Sequence, residues 1–134
     1  MRRFVELGGR VVDSSPMYGA AEAVVGELAT ELGIVEKLFV ATKVWTSGRA
    51  AGTAQMEQSI RLLRKSPLDL MQIHNLVDWR THLATLREWK KAGRIRTLGV
   101  THYTASAYDE LERVLRSEQL DFVQLNYSIG ELDA

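Results

Sequence analysis

The sequence predicts an α/β fold in which about five parallel strands alternate with helices, of the closed-barrel type rather than the open doubly wound type. Three observations predict it. Branched-aliphatic runs recur at a nearly constant interval, the stretches between them turn helical, and the glycine-rich phosphate loops typical of open sheets are absent. The runs cover residues 10–14, 38–43, 68–74, 97–101 and 122–126. Counted from Val11, Leu38, Asp69, Thr97 and Phe122 they lie about 25 to 31 residues apart, the length of one strand plus one helix.

Taken in order, Phe4, Val5 and Leu7 fit a helix already under way ahead of the first run. After it, Ala21, Val24, Val25, Leu28 and Leu32 fall on one face of a helix, and Met56, Ile60 and Leu63 do so again after the second run. Leu83, Leu86 and Trp89 mark a third such face, which makes Trp89 core and leaves His82 on a polar face as a solvated residue. Tyr108, Leu111 and Leu115 mark a fourth, with Ser106 as the expected N-cap ahead of Asp109. Gly8 and Gly9, Gly33 and Gly93 each follow a helical stretch, where a left-handed residue is least costly as glycine. Strict alternation implies a parallel sheet with right-handed crossovers. Neither Gly-x-Gly-x-x-Gly after the first strand nor Gly-x-x-x-x-Gly-Lys-Ser/Thr is present, and this moves the choice toward a barrel.

Composition bounds the function. With 134 residues, 46% apolar and 25% charged, the chain is expected to form one globular domain over residues 1–134. Lys and Arg total 17 and Asp and Glu total 17, so no net field gathers nucleic acid or an anionic membrane. The absence of cysteine removes disulfides and thiolate metal sites and fits a reducing cytoplasm. The basic start lacks the apolar stretch of a signal peptide, and no apolar run approaches the roughly 20 residues of a membrane span. A soluble cytoplasmic protein without nucleic-acid or membrane partners is the expectation.

The most informative regularity is at the ends of the runs, which close on Asp13, Lys43, His74, Thr101 with His102, and Gln124 with Asn126. In a parallel barrel all strand C-termini open on one face, so residues far apart in sequence converge on one pocket. A single carboxylate or lysine at a strand end is usually a solvated residue or half of an ion pair. A different polar group at the end of every successive strand is a stronger pattern. The set contains no nucleophile elbow and no His-Glu-x-x-His spacing, which places hydrolysis and metal catalysis low, and no metal site is expected. Tyr18 follows Asp13 on the loop leaving the first run, within reach of the same mouth as Lys43. A phenol is a poor acid at neutral pH, but an adjacent ammonium stabilises the phenolate and a carboxylate can hold that ammonium in place. Trp45 and Trp79 follow Lys43 and His74 closely and are candidates to wall a substrate pocket.

Asp-Ser-Ser-Pro-Met-Tyr-Gly after a strand, a strand ending Thr-Lys-Val-Trp, and a strand ending Gln-Ile-His-Asn together resemble the aldo-keto reductases. Ala-Glu-Ala-Val-Val-Gly, Gly-Val-Thr-His-Tyr and Val-Gln-Leu-Asn resemble the segments that follow in that family, so the similarity covers nearly the whole chain. The resemblance implies a (β/α)₈ TIM-barrel type of fold, here incomplete, starting inside the first helix and matching strands two to six, without strands one, seven and eight. It implies reduction of aldehydes or ketones to alcohols by hydride transfer from NADPH, with NADH as the alternative cofactor. Tyr18 is then the general acid, Lys43 tunes it, Asp13 pairs with Lys43, and His74 orients the substrate carbonyl. Thr101, His102 and Gln124 would hold the nicotinamide carboxamide. Many members carry Ser-Asn where this chain has Thr101 and His102, and the late strands that hold the adenosine phosphates are not in it.

Two other readings compete. A lysine at a barrel strand end is where Schiff-base aldolases place their nucleophile, which would make Lys43 covalent and Tyr18 a proton relay. The other is an inactive partial barrel with an association role. Exposed parallel edges and an uncovered inner face, including Val11, Val40, Ile73 and Val100 or their alternating neighbours, are expected to favour homo-oligomers over a closed monomer and to weaken NADPH binding.

Overall fold

The structure, a computed structural model, describes residues 1–128 and Gly130; residues 129 and 131–134, the end of the expected domain, lie outside the described residues. The described order is α1 (Arg2–Glu6), β1 (Val11–Asp13), α2 (Ala21–Glu31), β2 (Phe39–Val44), α3 (Arg49–Leu63), β3 (Leu68–His74), α4 (Trp79–Lys91), β4 (Ile95–Thr101), α5 (Tyr108–Ser117) and β5 (Phe122–Gln124). Single 3₁₀ turns at Val35–Lys37 and Ala105–Ala107 lead into β2 and α5.

Each strand pairs in parallel with the next in sequence, giving the sheet order β1-β2-β3-β4-β5. An open doubly wound sheet reverses its strand order at a switch point, and these five strands do not; they follow the wall of a barrel. The pairing is continuous across the wall: Val12 opposes Val40, Thr42 opposes Met71, Ile73 opposes Val100, and Thr101 opposes Gln124.

The period of two along each strand divides the sheet into two faces. Val40, Val44, Met71, Ile73, Leu98 and Val100 are buried in one cluster with Met56 and Leu63 of α3, Leu83, Leu86 and Trp89 of α4, and Leu111 and Val114 of α5. Fully burying each large aliphatic is worth roughly 1.5–3 kcal/mol, so this packing rather than helix propensity holds the short helices. Several buried polar groups on that side are satisfied in place. The Thr42 hydroxyl donates to Glu22 Oε1 of α2, and the Ser59 hydroxyl of α3 donates to Glu22 Oε2 at 3.2 Å. At the opposite strand ends the buried Lys65 amine donates to Val35 O and Leu38 O and pairs with Asp69 at 3.2 Å, while Asp69 Oδ2 accepts the Val40 N–H at 2.9 Å.

Of the two sets expected for the inner face, Val11 and the alternating neighbours Phe39, Gln72 and Gly99 take the open side with Phe122, whose ring lies 5.8 Å from that of Phe39, while Val40, Ile73 and Val100 point to the helices. Several other expectations are corrected here. Ser106 is not an N-cap: it lies in the 3₁₀ turn, Ala107 occupies the cap position, and no side chain caps α5. Gly8, Gly33 and Gly93 take positive φ as expected, but Gly9 does not; it is small because the Phe4 ring packs where its side chain would be. His82 is fully buried between α3 and α4, not solvated. β4 begins at Ile95, before its apolar run, and β5 ends at Gln124, short of Asn126.

Candidate active site

The open ends of β1 to β5 and the segments leaving them enclose a cleft of about 240 Å³, lined by Tyr18, Lys43, His74, Asn75, Thr101, His102, Tyr103, Gln124, Leu125 and Asn126. Lys43 is its anchor. The strand alternation that sends Thr42 and Val44 to the helices sends Lys43 to the open face, where its side chain is only 2% exposed. Its ammonium donates to Asp13 Oδ2 at 2.7 Å and to Ser14 O at 2.8 Å. An ammonium this buried is tolerable only because it is paired and hydrogen-bonded. It also lies 5.3 Å from the centroid of the Tyr18 ring, so Asp13, Lys43 and Tyr18 form one contiguous group from β1, β2 and the loop after β1. Tyr18 is half-exposed at the mouth.

Asp13 has further partners. Gln72 Nε2 donates to its Oδ1 and Gln124 Nε2 to its Oδ2, both at 3.4 Å, and Gln72 also reaches Gln124 Oε1 at 3.4 Å. The carboxylate is thereby approached from β2, β3 and β5 at once. Gln72 was not among the sequence candidates. Its signal is its place two residues before His74, which puts a buried amide on the face that Lys43 and His74 share.

His74 stands at the end of β3 with Nδ1 at 3.4 Å from the Thr101 hydroxyl, which also accepts the Asn75 N–H at 3.4 Å. Partial burial, then the Lys43 and His102 charges, lower its pKa from the usual imidazole range, with Asp13 opposing. The neutral ring is therefore favoured at neutral pH. His102 turns its Nδ1 toward Thr104, accepting the Thr104 N–H at 3.2 Å, and its backbone N–H donates to Gln124 O at 3.0 Å. That leaves Nε2 as the protonated nitrogen of the neutral ring.

The two tryptophan candidates part company. Trp45 packs edge-on to His74, ring centroids 6.2 Å apart at 90°, and stays 45% exposed beside the cleft. Trp79 does not wall it. The first turn of α4 faces it toward α5, where it is buried, its Nε1–H donates to Glu110 at 3.4 Å and the Arg80 guanidinium stacks on its ring. Asn75, Tyr103 and Leu125 line the cleft without having been singled out; they follow strand ends that were.

The aldo/keto reductase family profile matches residues 1–133. The chain belongs to the aldo/keto reductase family. Methylglyoxal reductase YeaE of Escherichia coli strain K12 is 32% identical over 136 residues, covering 97% of this chain and 47% of that protein. Aldo-keto reductase YhdN of Bacillus subtilis is 27% identical over 98% of this chain and 43% of its own length. The chain thus spans about half the length of the curated reductases it matches. The holo form of aldo-keto reductase AKR11C1 from Bacillus halodurans superposes with a TM-score of 0.82 at 22% identity, covering 96% of this chain and 47% of that one. Aldo-keto reductase AKR2E4 of Bombyx mori in complex with NADP superposes at 0.74 and 23% identity over 92% of this chain and 45% of that one. The family's fold is therefore present as five parallel strands alternating with helices, a half-barrel of the (β/α)₈ type.

Proposed function

We propose that this half-barrel carries the carbonyl-reducing site of an NADPH-dependent aldo-keto reductase, with Tyr18 as general acid. The observation that carries the reading is the contiguous group of Asp13, Lys43 and Tyr18 opening on the same cleft as His74. A substrate carbonyl entering that cleft would place its oxygen between the Tyr18 hydroxyl and His74. Tyr18 gives its proton to the carbonyl oxygen as the alcohol forms. Lys43, fixed by Asp13, stabilises the negative charge left on the phenolate. Neutral His74 donates from Nε2 to the same oxygen, since the Thr101 hydroxyl can donate to its Nδ1 while accepting the Asn75 N–H. Trp45 bounds the substrate beside His74.

The residues present fit one end of a nicotinamide cofactor. Thr101, His102 and Gln124 gather donors and acceptors at adjacent strand ends, as an amide needs, and a cleft of about 240 Å³ takes a ring with a small carbonyl compound but not a whole dinucleotide. When bound, the reduced nicotinamide supplies the hydride. NADPH is the proposed donor, with NADH as the alternative, and the setting is the reducing cytoplasm. The aldolase reading is not favoured, because the Lys43 amine is committed to Asp13 and Ser14 rather than free to attack. Among the described strands β1 and β5 each have a neighbour on one side only, and self-association through these edges is proposed with the reading.

Tyr18→Phe tests it, in the chain and in an eight-stranded chimera completed with the remaining strands of a relative. Aldehyde reduction should fall by about 10²–10⁴-fold while NADPH binding, followed by fluorescence, changes little. Retained turnover would remove Tyr18 as the acid.

A further inference from the structure

We propose that the first turn of α4 clamps the β2–α3 turn and so presets the Trp45 indole against His74, with Asp78 and His82 as the positioning residues. The turn formed by Trp45, Thr46, Ser47 and Gly48 contributes nothing to the buried cluster, so core packing does not fix it. It is held by polar contacts instead. Gln55 of α3 brackets Trp45, its Oε1 accepting the Trp45 N–H at 2.6 Å and its Nε2 donating to Trp45 O at 3.4 Å. From α4, Asp78 Oδ2 accepts the Gly48 N–H at 2.7 Å, and His82 Nε2–H donates to Thr46 O at 2.6 Å.

The local choices that make these contacts are unfavourable on any other account. His82 is fully buried and its Nδ1 has no hydrogen-bond partner among the described residues, a worse filling for the α3–α4 seam than an aliphatic would be. Room for the ring comes from Gly52, inside α3, where any Cβ would collide with it, and glycine weakens a helix interior. Asp78 holds a left-handed φ of 45°, which costs a non-glycine residue. Three locally costly residues thus converge on one short turn. The Gly48 N–H, then the Thr81 hydroxyl, hold the Asp78 carboxyl below the usual carboxylate range, so the ionised clamp is the favoured form. What the turn delivers to the cleft is Trp45, standing edge-on to His74. The wall is set before a substrate arrives, and ordering it is not charged to binding.

The three tryptophans give three signals in ¹⁹F NMR of the fluorotryptophan-labelled chain, with Trp45 assigned by its loss in Trp45→Phe. Asp78→Gly removes the acceptor while easing the left-handed backbone, and Asp78→Asn keeps both. His82→Leu removes the donor, and His82→Gln restores one. Asp78→Gly and His82→Leu should each move the Trp45 signal toward its unfolded position and raise its solvent-isotope shift, leaving Trp89 in place; Asp78→Asn and His82→Gln should restore it. A Trp45 signal unmoved in Asp78→Gly overturns the clamp, and this partly exposed position decides the matter should His82→Leu fail to fold. The substrate half rests on the proposed carbonyl reduction. In the eight-stranded chimera, Asp78→Gly should raise KM for an aromatic aldehyde roughly fivefold to tenfold, the factor for one lost positioned hydrogen bond, with little change in kcat or for the smallest aldehyde. A moved signal with unchanged KM values rejects the specificity role. A moved signal with no turnover in any form rejects the reductase reading and leaves the clamp standing.

Discussion

The two faces of the sheet are built from the same strands one residue out of step, and they do opposite work. Facing the helices, Val40, Val44, Met71, Ile73, Leu98 and Val100 lock into a dry cluster, and the buried carboxylates there are paired, Glu22 with Thr42 and Ser59 and Asp69 with Lys65 and the Val40 N–H. Facing the opening, Asp13, Lys43, Gln72, His74, Thr101 and Gln124 form a polar array around a cleft. The first face is where stability is concentrated, and the second holds charge that only its partners make tolerable. A single-residue slip would exchange them, so the apolar cluster also fixes the register of the chemistry.

That contrast can be broken or sharpened by substitution. The largest effect on stability belongs to Ile73→Ala, which opens a cavity at a fully buried site; the loss should be roughly 2–5 kcal/mol by denaturant unfolding, with the Trp45 fluorine signal unmoved. A displaced Trp45 signal would mean that the faces are not independent. Next is Thr42→Val, close in shape but lacking the hydroxyl that Glu22 accepts; the expected cost is about 1–3 kcal/mol, and a neutral outcome would show that Ser59 alone satisfies the carboxylate. The smallest effect is on the cleft face and is pH-linked. Because burial and the nearby cations lower the His74 pKa in the folded state, the unfolded chain takes up its proton first as pH falls below about 6.5, and stability drops from there downward. Between about pH 7.5 and 5.5 the wild-type chain should therefore lose more unfolding free energy than His74→Asn. Equal losses would mean that His74 carries no such linkage.

Much of this is legible in the sequence, for reasons that differ by element. Strand identity came from period and spacing, and the polar residues at the run ends do meet in one cleft because parallel strands must open on one side. Lys43 and Asp13 pair, as a buried ammonium requires. What escaped was side-chain direction and partnership between distant segments. His82 reads as solvated by its residue type, although Trp79 and Leu86 share its side of the helix, and the space left by Gly52, thirty residues earlier, lets it be buried. Trp79 looked like Trp45 by its distance from a strand end, but the helix had already begun and turned it toward α5. Gln72 sits inside an apolar run, and its one cue is the period of two that puts it on the face of His74.

One contact of the cleft has a kinetic meaning. The Gln124 amide reaches Asp13 across 111 positions of the chain, from the fifth strand back to the first. Neither β1 nor β5 touches the other through the backbone ladder, so this bond forms only after β2, β3 and β4 have joined and curved the wall between them. Long-range closure of this kind carries its entropy cost before any reward. This one contact therefore needs the whole wall in place and is lost when either edge strand frays, whereas Lys43–Asp13 and His74–Thr101 join neighbouring strands and need only their own pair.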